Sequence, residues 1–494
     1  MSAFVHALHH HARAQPGREA ISWGGASINY GELAATVGRV ASRLAGRVVG
    51  LLAHNGPTWI AVDLALQERG VCCVPLPPFF SDAQISHVIA DAGIDLILTD
   101  HPARVETITG LRSDSSLQIF GEKLHGYALP TSDATAALSG IAKVTYTSGT
   151  TGEPKGVCLR IETIGRVAYS LLEAARASER DRALCLLPLS TLLENIGAVY
   201  VPMLTGASIC LAPPAWIGNA LSGRFDPTAL VSGLRRLAPT TAIVVPQLLQ
   251  SLAEAARAGN GICGSFRFVA VGGAPVSEQL LRNAQHLGIP VYEGYGLSEA
   301  GSVVCLNHPG ANRLGTVGLP LPHASVRIAE DGEVLVGGTL FEAYLHRPPR
   351  SQPYWPTGDL GYIDSCGHLV LTGRKKSAYA TAYGRKVAPE WVERELLLEA
   401  PIRHAVVYGE ARPFNVALIV PGAGRERDIA AAVARTNRRL PAYAQVHRFV
   451  PIHDPFTTGN GLLTGNGRVR REQVWDRFRM QLESLYEEEL NGVL

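Results

Sequence analysis

Residues 146–157 read YTSGTTGEPKGV and come after an apolar run at residues 141–144. Glycine lets backbone amides approach phosphate oxygens, hydroxyl groups add neutral donors, and Lys155 supplies one positive charge. A plain Ser/Thr/Gly surface turn that binds nothing is a poorer explanation of so many small and polar residues around one lysine. The spacing differs from GxxxxGK[ST], which disfavours an ordinary P-loop nucleoside triphosphatase. The stretch therefore predicts a loop that cradles an anion.

Upstream of this loop, short β-rich runs alternate with helical patterns. The sequence predicts strands at residues 48–53, 71–76 and 95–99, with helices at 57–69 and 81–92 between them. Such a βαβαβ order is typical of a doubly wound sheet. We therefore expect an α/β fold in the first part of the chain.

Downstream, the pattern changes twice. Residues 325–336 (SVRIAEDGEVLV) and 354–371 read as short alternating strands, which predict an antiparallel, barrel-like subdomain. After the basic run GRKK at 373–376, a smaller α/β segment begins, with helices expected at 389–398 and 429–440 and a strand at 404–408. The sequence thus predicts a large N-terminal domain of doubly wound sheets plus the barrel-like subdomain (1–375) and a small mobile α/β C-terminal domain (376–494).

Composition limits the possible functions. The 45 Lys and Arg residues nearly balance the 43 Asp and Glu residues, which disfavours nucleic-acid binding. The eight cysteines form no CxxC pair and lie mostly in apolar runs, as reduced buried thiols do in the cytoplasm. The N-terminus lacks the continuous apolar core of a secretory signal, and the least charged stretch, 183–223, is interrupted by Pro and Gly before it could span a membrane. We expect a cytoplasmic protein without a transmembrane segment.

Five motifs in order resemble the adenylate-forming (AMP-binding) superfamily, and fatty acyl-CoA synthetases most of all. They are the loop at 146–157, YEGYGLSE at 292–299, YWPTGDLGY at 354–362, GRKK at 373–376 and GRKVAPE at 384–390. The resemblance covers almost the whole chain. It implies that ATP and Mg²⁺ convert a carboxylic acid, fatty or otherwise hydrophobic, into an acyl-adenylate, whose acyl group then passes to a thiol.

The resemblance also implies the phosphate and metal site. Lys155 would neutralise phosphate charge, and Glu299, together with Thr150, would bind Mg²⁺. Glu299 follows an apolar strand and a tight glycine turn, which aims a carboxylate out of the end of a sheet, where ligands of open α/β folds collect. The loop residues implied to hold the nucleotide are Thr147, Ser148, Gly149, Thr150, Thr151 and Gly152.

The remaining nucleotide contacts are implied by the same match. Asp359 is expected to take the ribose hydroxyls, because a carboxylate accepts from two adjacent OH groups, and Arg374 to contact ribose and phosphate. Tyr295 would flank the adenine and Ser298 would contact the α-phosphate. The other expected nucleotide-binding residues are Gly273, Ala274, Pro275, Glu293, Gly294 and Gly296.

The expected acyl pocket departs from the family pattern. In the segment at 188–194, Thr191 replaces the usual His and Leu193 the usual Phe, while Glu194 is retained in an apolar stretch. An unpaired charge there would be costly, so we expect Glu194 to be hydrogen-bonded, in a structural or a catalytic role. Gly272 is expected beside this pocket, where an absent side chain leaves room for the acyl group.

The largest departure lies near the C-terminus. Residues 460–471 (NGLLTGNGRVRR) resemble a loop that usually reads LLTxTGKxRR, and Arg468 stands where the family has its adenylation lysine. Arginine is a planar fork and not a compact point charge, so charge is kept while geometry changes. The resemblance further implies that the small domain rotates about Lys376 between adenylation and thiol transfer.

Several functions stay compatible with these motifs. CoA is the first choice of acyl acceptor, and the phosphopantetheine of an acyl carrier protein presents the same thiol. A catalytically weak acyl-adenylate-binding protein is the alternative that Arg468 suggests, and luciferase-type oxidative decarboxylation shares every motif. The sequence leaves the acid's structure, the pathway and the oligomeric state open.

Overall fold

The computed structural model describes residues 2–130, 138–147, 154–217, 226–257, 265–383, 385–422, 424–457, 459–464 and 468–487. In these ranges the first strands are β1 Glu19–Trp23, β2 Ala26–Asn29, β3 Val48–Leu52, β4 Cys72–Pro75, β5 Leu96–Thr99, β6 Ser115–Ile119, β7 Glu122–Ala128, β8 Lys143–Thr147, β9 Lys155–Leu159, β10 Arg182–Cys185, β11 Ser208–Leu211, β12 Thr241–Val244 and β13 Phe268–Val271. The later strands are β14 Val291–Tyr295, β15 Cys305–Leu306, β16 Leu319–Pro320, β17 Ala324–Ile328, β18 Glu333–Gly338, β19 Ala343–Tyr344, β20 Tyr354–Ile363, β21 Leu369–Arg374, β22 Tyr379–Ala380, β23 Lys386–Val387, β24 Ile402–Tyr408, β25 Asn415–Pro421 and β26 Val446–Pro451.

Helices connect these strands. The α-helices are Ala3–Ala14, Tyr30–Ala41, Pro57–Arg69, Asp82–Asp91, Pro102–Thr109, Ile161–Ala174, Leu192–Glu194, Val201–Thr205, Pro227–Leu237, Pro246–Arg257, Glu278–His286, Pro389–Leu396, Ile429–Asn437 and Arg471–Glu487. A π-helical segment, Asn195–Tyr200, joins Leu192–Glu194 to Val201–Thr205. Among the described residues, no helix combines the length and the apolar character needed to cross a membrane.

Two large sheets form the first part of the chain. One has the order β16-β15-β14-β13-β12-β10-β11-β1-β2, and the other has the order β19-β9-β8-β4-β3-β5-β7-β6. Strand β3 pairs in parallel with both β4 and β5, and every residue of β3 is buried because helices cover the sheet. The predicted α/β fold is confirmed, and the predicted βαβαβ unit is β3 to β5 with its two helices.

The bounds of the predicted helices and short strands lie within three residues of the observed ones, and the helix predicted at 57–69 is observed with those same bounds. Ser81 caps the helix Asp82–Asp91, and a capping box with Gln84 fixes its first turn. The helix expected to reach residue 440 ends at Asn437, whose side chain binds both the N–H and the carbonyl of Val446 at 2.9 and 2.7 Å. Side-chain bonds to a neighbouring strand replace the last helical turn, which periodicity alone does not reveal.

The predicted antiparallel subdomain is a four-stranded sheet, β17-β18-β20-β21. Strands β20 and β21 run antiparallel and place Asp359 directly opposite Arg374. The strand pairing therefore brings together two residues that the sequence assigned to the nucleotide.

The last part of the chain has its own sheet, β24-β25-β26. Two hydrophobic clusters lie against it, and all of their buried members fall between Tyr379 and Tyr486. The other clusters of the described chain are built from residues up to Leu369. The proposed boundary at Lys376 falls between these two sets, and the division into two domains stays a prediction.

A buried network around one ion pair connects the eight-stranded sheet with the segment that follows β10 of the nine-stranded sheet. Nζ of Lys143, the first residue of β8, lies 2.8 Å from Oδ1 of Asp63 on the helix Pro57–Arg69, and both side chains are almost inaccessible to solvent. Tyr200, from the π-helical segment that follows β10, donates a 2.6 Å hydrogen bond to the same carboxylate. The Asn195 amide oxygen accepts a further bond from Lys143. No sequence motif predicted this network.

Candidate active site

The predicted phosphate loop starts and ends on a β-hairpin. Thr147 and Lys155 are paired across the antiparallel strands β8 and β9. The intervening residues predicted to bind the nucleotide, Ser148, Gly149, Thr150, Thr151 and Gly152, lie outside the described residues. Both ends of the loop are therefore fixed at one end of the eight-stranded sheet.

Lys155 and Glu299 are both neighbours of one tyrosine, Tyr344. Tyr344, on β19 beside β9, donates a 2.6 Å hydrogen bond to Oε1 of Glu299. The Lys155 ammonium lies 5.9 Å from the centre of the Tyr344 ring. Burial and the Glu299 charge raise the pKa of Tyr344, so its hydroxyl stays a proton donor. The two charged groups assigned to phosphate and metal thus face the same space.

Asp359 is held by two partners. One carboxylate oxygen accepts a 2.6 Å hydrogen bond from the Tyr295 hydroxyl, and the other lies 2.6 Å from Nε of Arg374. Asp359 and Tyr295 are both buried, with 7% and 9% of their surface exposed. Burial and the neighbouring carboxylate raise the pKa of Tyr295, which keeps its proton for this bond. The carboxylate assigned to the ribose is consequently pre-oriented.

The glycines of the expected adenine pocket are needed for close backbone approach. A Cβ on Gly272 would lie 2.8 Å from the carbonyl oxygen of Gly294, and a Cβ on Gly296 would clash with the carbonyl of Ser302. These glycines let the segment after β13 and the end of β14 lie side by side. Both segments line the same cleft, and we refer to this part of the cleft as the glycine groove.

Arg468 reaches this groove from the C-terminal part of the chain. It lies on a small loop closed by a bridge between Leu463 and Val469 and by a 2.7 Å bond from the Thr464 N–H to the Arg468 carbonyl. Its guanidinium Nε donates a hydrogen bond to the carbonyl oxygen of Gly273. The residue that replaces the expected lysine therefore lies at the glycine groove.

The electrostatic neighbours of Arg468 are site residues. Desolvation and Arg374 lower the pKa of Arg468, while Asp359, Tyr295 and Glu299 raise it. A guanidinium stays charged through such shifts. The structure thus brings a permanent positive charge between the groups assigned to the ribose and to the metal.

Glu293, on the same strand as Tyr295, is a carboxyl group with an altered pKa. Desolvation raises the pKa of Glu293 to about 8, and Arg394 acts in the opposite direction. Arg394 belongs to the helix Pro389–Leu396 and donates a 2.9 Å hydrogen bond to the carbonyl of Leu371. A second basic residue of the C-terminal segment therefore lines the same cleft.

The residues expected in the acyl pocket do not all line the cleft. Thr191 and Gly272 line the cleft, whereas Glu194 lies behind this wall with no exposed surface. Oε1 of Glu194 accepts hydrogen bonds of 2.7 and 3.1 Å from the backbone N–H groups of Leu186 and Leu187. Glu194 thus fixes the loop before Thr191 and supports the pocket from behind.

The residue before the expected hinge is firmly held. Nζ of Lys375 lies 2.6 Å from Asp331 and 2.7 Å from Glu333, and its N–H donates to the Gly358 carbonyl at 2.8 Å. Glu333 also accepts a 2.9 Å hydrogen bond from the N–H of Gly358. The chain is therefore anchored to the four-stranded sheet immediately before Lys376, which lines the cleft.

A single cleft of about 2760 Å³ unites these features. Typical small-molecule sites have about 300–1,000 Å³, so this cleft is large enough for a nucleotide together with a second substrate. The sequence-predicted site residues that line it are Thr147, Lys155, Thr191, Gly272, Gly273, Ala274, Pro275, Glu293, Gly294, Tyr295, Gly296, Ser298, Glu299, Asp359, Arg374, Lys376 and Arg468.

Sequence reasoning missed three groups in the cleft: Tyr344, Glu333 and Arg394. Tyr344 lies in the unremarkable stretch FEAYLH, and Glu333 was read only as part of an alternating strand. Tyr344 and Glu333 reach the cleft through pairing between strands distant in sequence, and Arg394 reaches it from the helix Pro389–Leu396. No local pattern indicated these positions.

The polar side chains of the cleft are of the types that bind Mg²⁺ and a nucleotide. Glu299 presents a carboxylate to the cleft, and carboxylate and hydroxyl oxygens are ligands that Mg²⁺ prefers. Asp359 can accept from ribose hydroxyls, and Lys155, Arg374 and Arg468 can bind phosphate oxygens. The residues present thus suit an Mg²⁺–nucleotide complex.

Comparison with known proteins agrees with this geometry. The model of the AMP-binding enzyme family matches residues 8–345, and that of the AMP-binding enzyme C-terminal domain matches residues 378–490. The chain belongs to the AMP-binding enzyme family.

Relatives with assigned names are distant but nearly full-length. A feruloyl-CoA synthase of Amycolatopsis sp is 28% identical over 500 residues, which cover 94% of this chain and 97% of the relative. A long-chain-fatty-acid--CoA ligase of Mycobacterium bovis is 27% identical over 540 residues, covering 87% and 86%.

Two solved structures show the same fold. An anthranilate CoA ligase in complex with anthranoyl-AMP superposes with a TM-score of 0.79 at 18% identity, over 97% of each chain. An o-succinylbenzoate CoA synthetase from Bacillus subtilis, in complex with ATP and a magnesium ion, gives 0.73 at 22% identity, over 94% of this chain and 98% of the other.

Proposed function

We propose that this protein is an AMP-forming acid–thiol ligase that activates a hydrophobic carboxylic acid with ATP and transfers the acyl group to CoA. The observation that carries the proposal is the convergence at one cleft. Lys155 and Glu299 meet at Tyr344, Asp359 is held by Tyr295 and Arg374, and Arg468 reaches Gly273 beside them. This combination of charges suits the stabilisation of charge that develops on phosphates during nucleotidyl transfer.

The proposed roles follow from chemistry and position. The hairpin loop from Thr147 to Lys155 would hold the triphosphate, with Glu299 and Thr150 as ligands of Mg²⁺. Asp359 would bind the ribose, and the base would lie along the segment from Gly273 to Pro275, next to Tyr295. When bound, Mg²⁺ would neutralise phosphate charge and orient the leaving pyrophosphate.

The first half-reaction joins acid and nucleotide. A carboxylate oxygen attacks the α-phosphorus, the bond to pyrophosphate breaks, and an acyl-adenylate forms. Lys155 and Arg468 stabilise negative charge as it develops on the phosphates, and positioning supplies much of the rate. Arg468 is suited to bridge the carboxylate and the α-phosphate because it is a multiple donor that stays charged.

The second half-reaction uses the same site. A thiol sulfur attacks the acyl carbon, and AMP leaves as the thioester forms. We propose that the chain divides into residues 1–375 and 376–494 and that the smaller part turns about Lys376, with Lys375 as the fixed side. CoA is the favoured acceptor because the named relatives are CoA ligases, and a carrier protein's phosphopantetheine is the alternative.

A hydrophobic acid is supported by the wall of the cleft beyond Thr191. Apolar or small residues follow it along the π-helical segment and the two short helices that flank it: Leu192, Leu193, Gly197, Ala198 and Val201. A wall of this composition favours an alkyl or aryl group over a charged one.

We also propose a cytoplasmic location. The cysteines of the described residues are free, and all except Cys366 are buried. Burial raises the pKa of Cys210 to about 11, so its thiol stays protonated and unreactive. Free thiols of this kind are typical of a reducing compartment.

The proposal is tested by pyrophosphate release with ATP, Mg²⁺ and a panel of fatty and aromatic acids, with and without CoA. Acyl-AMP and acyl-CoA are then detected by mass. We expect acid-dependent release, with Arg468→Ala slower by roughly 10²-fold and Arg468→Lys close to the native chain. Arg438→Ala, an exposed arginine away from the cleft, is the matched control.

One other function has a specific observation behind it. Because Arg468 replaces the expected lysine, the chain could bind acyl-adenylates without forming them at a useful rate. Absence of pyrophosphate release with every acid, together with tight binding of a non-hydrolysable acyl-adenylate, would establish this alternative. Equal activity of Arg468→Ala and the native chain would remove Arg468 from the reaction.

A further inference from the structure

Two histidines and an aspartate meet outside the cleft. His54 follows β3, and Asp100 and His101 follow β5. Strands β3 and β5 are parallel neighbours in which Leu52 pairs with Thr99. The two loops therefore leave the same edge of the sheet side by side, and their side chains meet there for a topological reason.

The three side chains have the spacing of metal ligands. Nδ1 of His54 lies 3.0 Å from Oδ2 of Asp100, and Nε2 of His101 lies 3.3 Å from Oδ1 of the same carboxylate. One ligand atom from each residue lies within 4.8 Å of the other two, the only such group of three found among the described residues. The histidine rings are 4.1 Å apart, tilted towards each other.

A hydrogen-bonded surface cluster is the simpler explanation, but it leaves one atom unexplained. Nε2 of His101 is shielded from solvent and has no hydrogen-bond partner among the described residues, although a carboxylate is 3.3 Å away. A cation bound by the three ligand atoms would satisfy this nitrogen.

The backbone around the cluster is already fixed. Oδ2 of Asp100 accepts a 3.0 Å hydrogen bond from the His54 N–H. The next residue, Asn55, donates to the Leu187 carbonyl at 2.7 Å and accepts from the Leu189 N–H at 2.8 Å. The N–H of His101 is held by Thr99 at 2.8 Å. Because these hydrogen bonds already hold the two loops, ion binding would need to order little more than the three side chains.

We propose that His54, Asp100 and His101 form a binding site for a divalent transition cation of the zinc class. Two imidazoles and one carboxylate form a set typical of Zn²⁺ sites with one position left for water. Mg²⁺ prefers oxygen ligands and does not fit two imidazole nitrogens. The site is thus separate in place and chemistry from the magnesium ligand Glu299.

The test is Zn²⁺ binding by the full-length protein in the absence of nucleotide, measured by competition with a chromophoric chelator. Other surface ligands are first removed: His6 and His10, four residues apart on the helix Ala3–Ala14, and the exposed thiol of Cys366. In this H6A/H10A/C366S background we expect one ion per chain. His54→Ala and His101→Ala should each weaken binding by roughly tenfold or more, because each removes one of three bonds. Co²⁺ in the same background should give the visible absorption of a tetrahedral N/O site.

The matched control is His453→Ala, an exposed histidine next to Asp454 on the C-terminal segment, which should bind Zn²⁺ as the background does. Asp100→Asn keeps the shape of the loop and should also weaken binding. Melting curves and ligase turnover of the variants, expected to be unchanged, exclude misfolding as the cause. No binding in the background protein, or equal binding after His54→Ala and His101→Ala, would overturn the proposal.

Discussion

The Tyr344 hydroxyl donates a 2.6 Å hydrogen bond to Oε1 of Glu299, and the Lys155 ammonium lies 5.9 Å from the centre of the Tyr344 ring. One side chain thus positions both the carboxylate assigned to Mg²⁺ and the cation assigned to phosphate. Tyr344 lies on a two-residue strand that pairs with β9, the strand that Lys155 begins. The pairing of β19 with β9 therefore organises the charged end of the site.

Tyr344→Phe tests this positioning role. The variant keeps the ring beside Lys155 but leaves Glu299 without its donor, and a hydrogen bond to a charged group contributes about 1.5–3 kcal/mol. We expect turnover to fall by about tenfold and the Mg²⁺ requirement to rise. Pyrophosphate release is measured over a Mg²⁺ titration, with Tyr169→Phe, a half-exposed tyrosine, as control. An unchanged Mg²⁺ curve would argue against the role.

Asp359→Asn tests the ribose assignment. An amide can accept from only one of the two partners, Tyr295 and Arg374, and it places an NH₂ group against the other. The KM for ATP should rise by roughly tenfold or more, while the KM for the acid changes little. Steady-state kinetics with each substrate varied in turn measures this, and Asp428→Asn, on an exposed turn, is the control. Equal effects on both KM values would indicate a general loss of structure instead.

Glu194 should make the protein less stable as the pH rises. Burial raises the pKa of Glu194 from its usual 4.5 to about 8, with the amides of Leu186 and Leu187 opposing the shift. Between these values the folded chain holds a proton that the unfolded chain releases, so this group's contribution is complete below pH 4.5 and is lost as the pH rises through 8. The slope for one proton is at most about 1.4 kcal/mol per pH unit.

The measurement compares the free energy of unfolding of the native chain and Glu194→Gln from pH 5 to pH 8. Glutamine keeps the acceptor oxygen for both amides, so the difference isolates the proton. We expect the variant to gain stability relative to the native chain as the pH rises. Parallel curves for the two proteins would show that Glu194 titrates normally.

Lys143→Met should be strongly destabilising. Removal of the ammonium leaves Asp63 buried and charged without its counter-ion. We expect this change to lower the free energy of unfolding by about 3–5 kcal/mol. Lys143→Met combined with Asp63→Asn should cost less than the sum of the single changes. Denaturant unfolding measures all three, and Arg282→Met, which breaks the exposed pair with Glu278, should cost less than about 1 kcal/mol. Additive single and double changes would contradict a coupled pair.

The parts of the fold that sequence predicted are those encoded locally. Apolar runs predicted the strands around Val49 and Ile97, and the helix predicted at 81–92 is observed at Asp82–Asp91 with Ser81 as its cap. Family motifs predicted the cleft residues, since each motif is a continuous stretch. The position of Arg468 in the cleft followed from its motif even though the residue type had changed.

What sequence did not predict depends on contacts between distant segments. Tyr344 meets Glu299 only because β19 pairs with β9, and Asp63 meets Lys143 across 80 positions of the chain. Glu194 was expected to be hydrogen-bonded and is, but its place behind the pocket wall required coordinates. Long-range pairing of single side chains leaves no periodic trace in the sequence.

Arg468 meets its partner, the carbonyl of Gly273, through an atom that every amino acid at that position would supply. Side-chain substitution can therefore remove the donor of this hydrogen bond but not its acceptor. A double-mutant cycle cannot be built across the contact. The same asymmetry applies to evolution. A chain could exchange arginine for lysine at 468 without any compensating codon change at 273, so the type of cation at this position can change while the groove stays as it is.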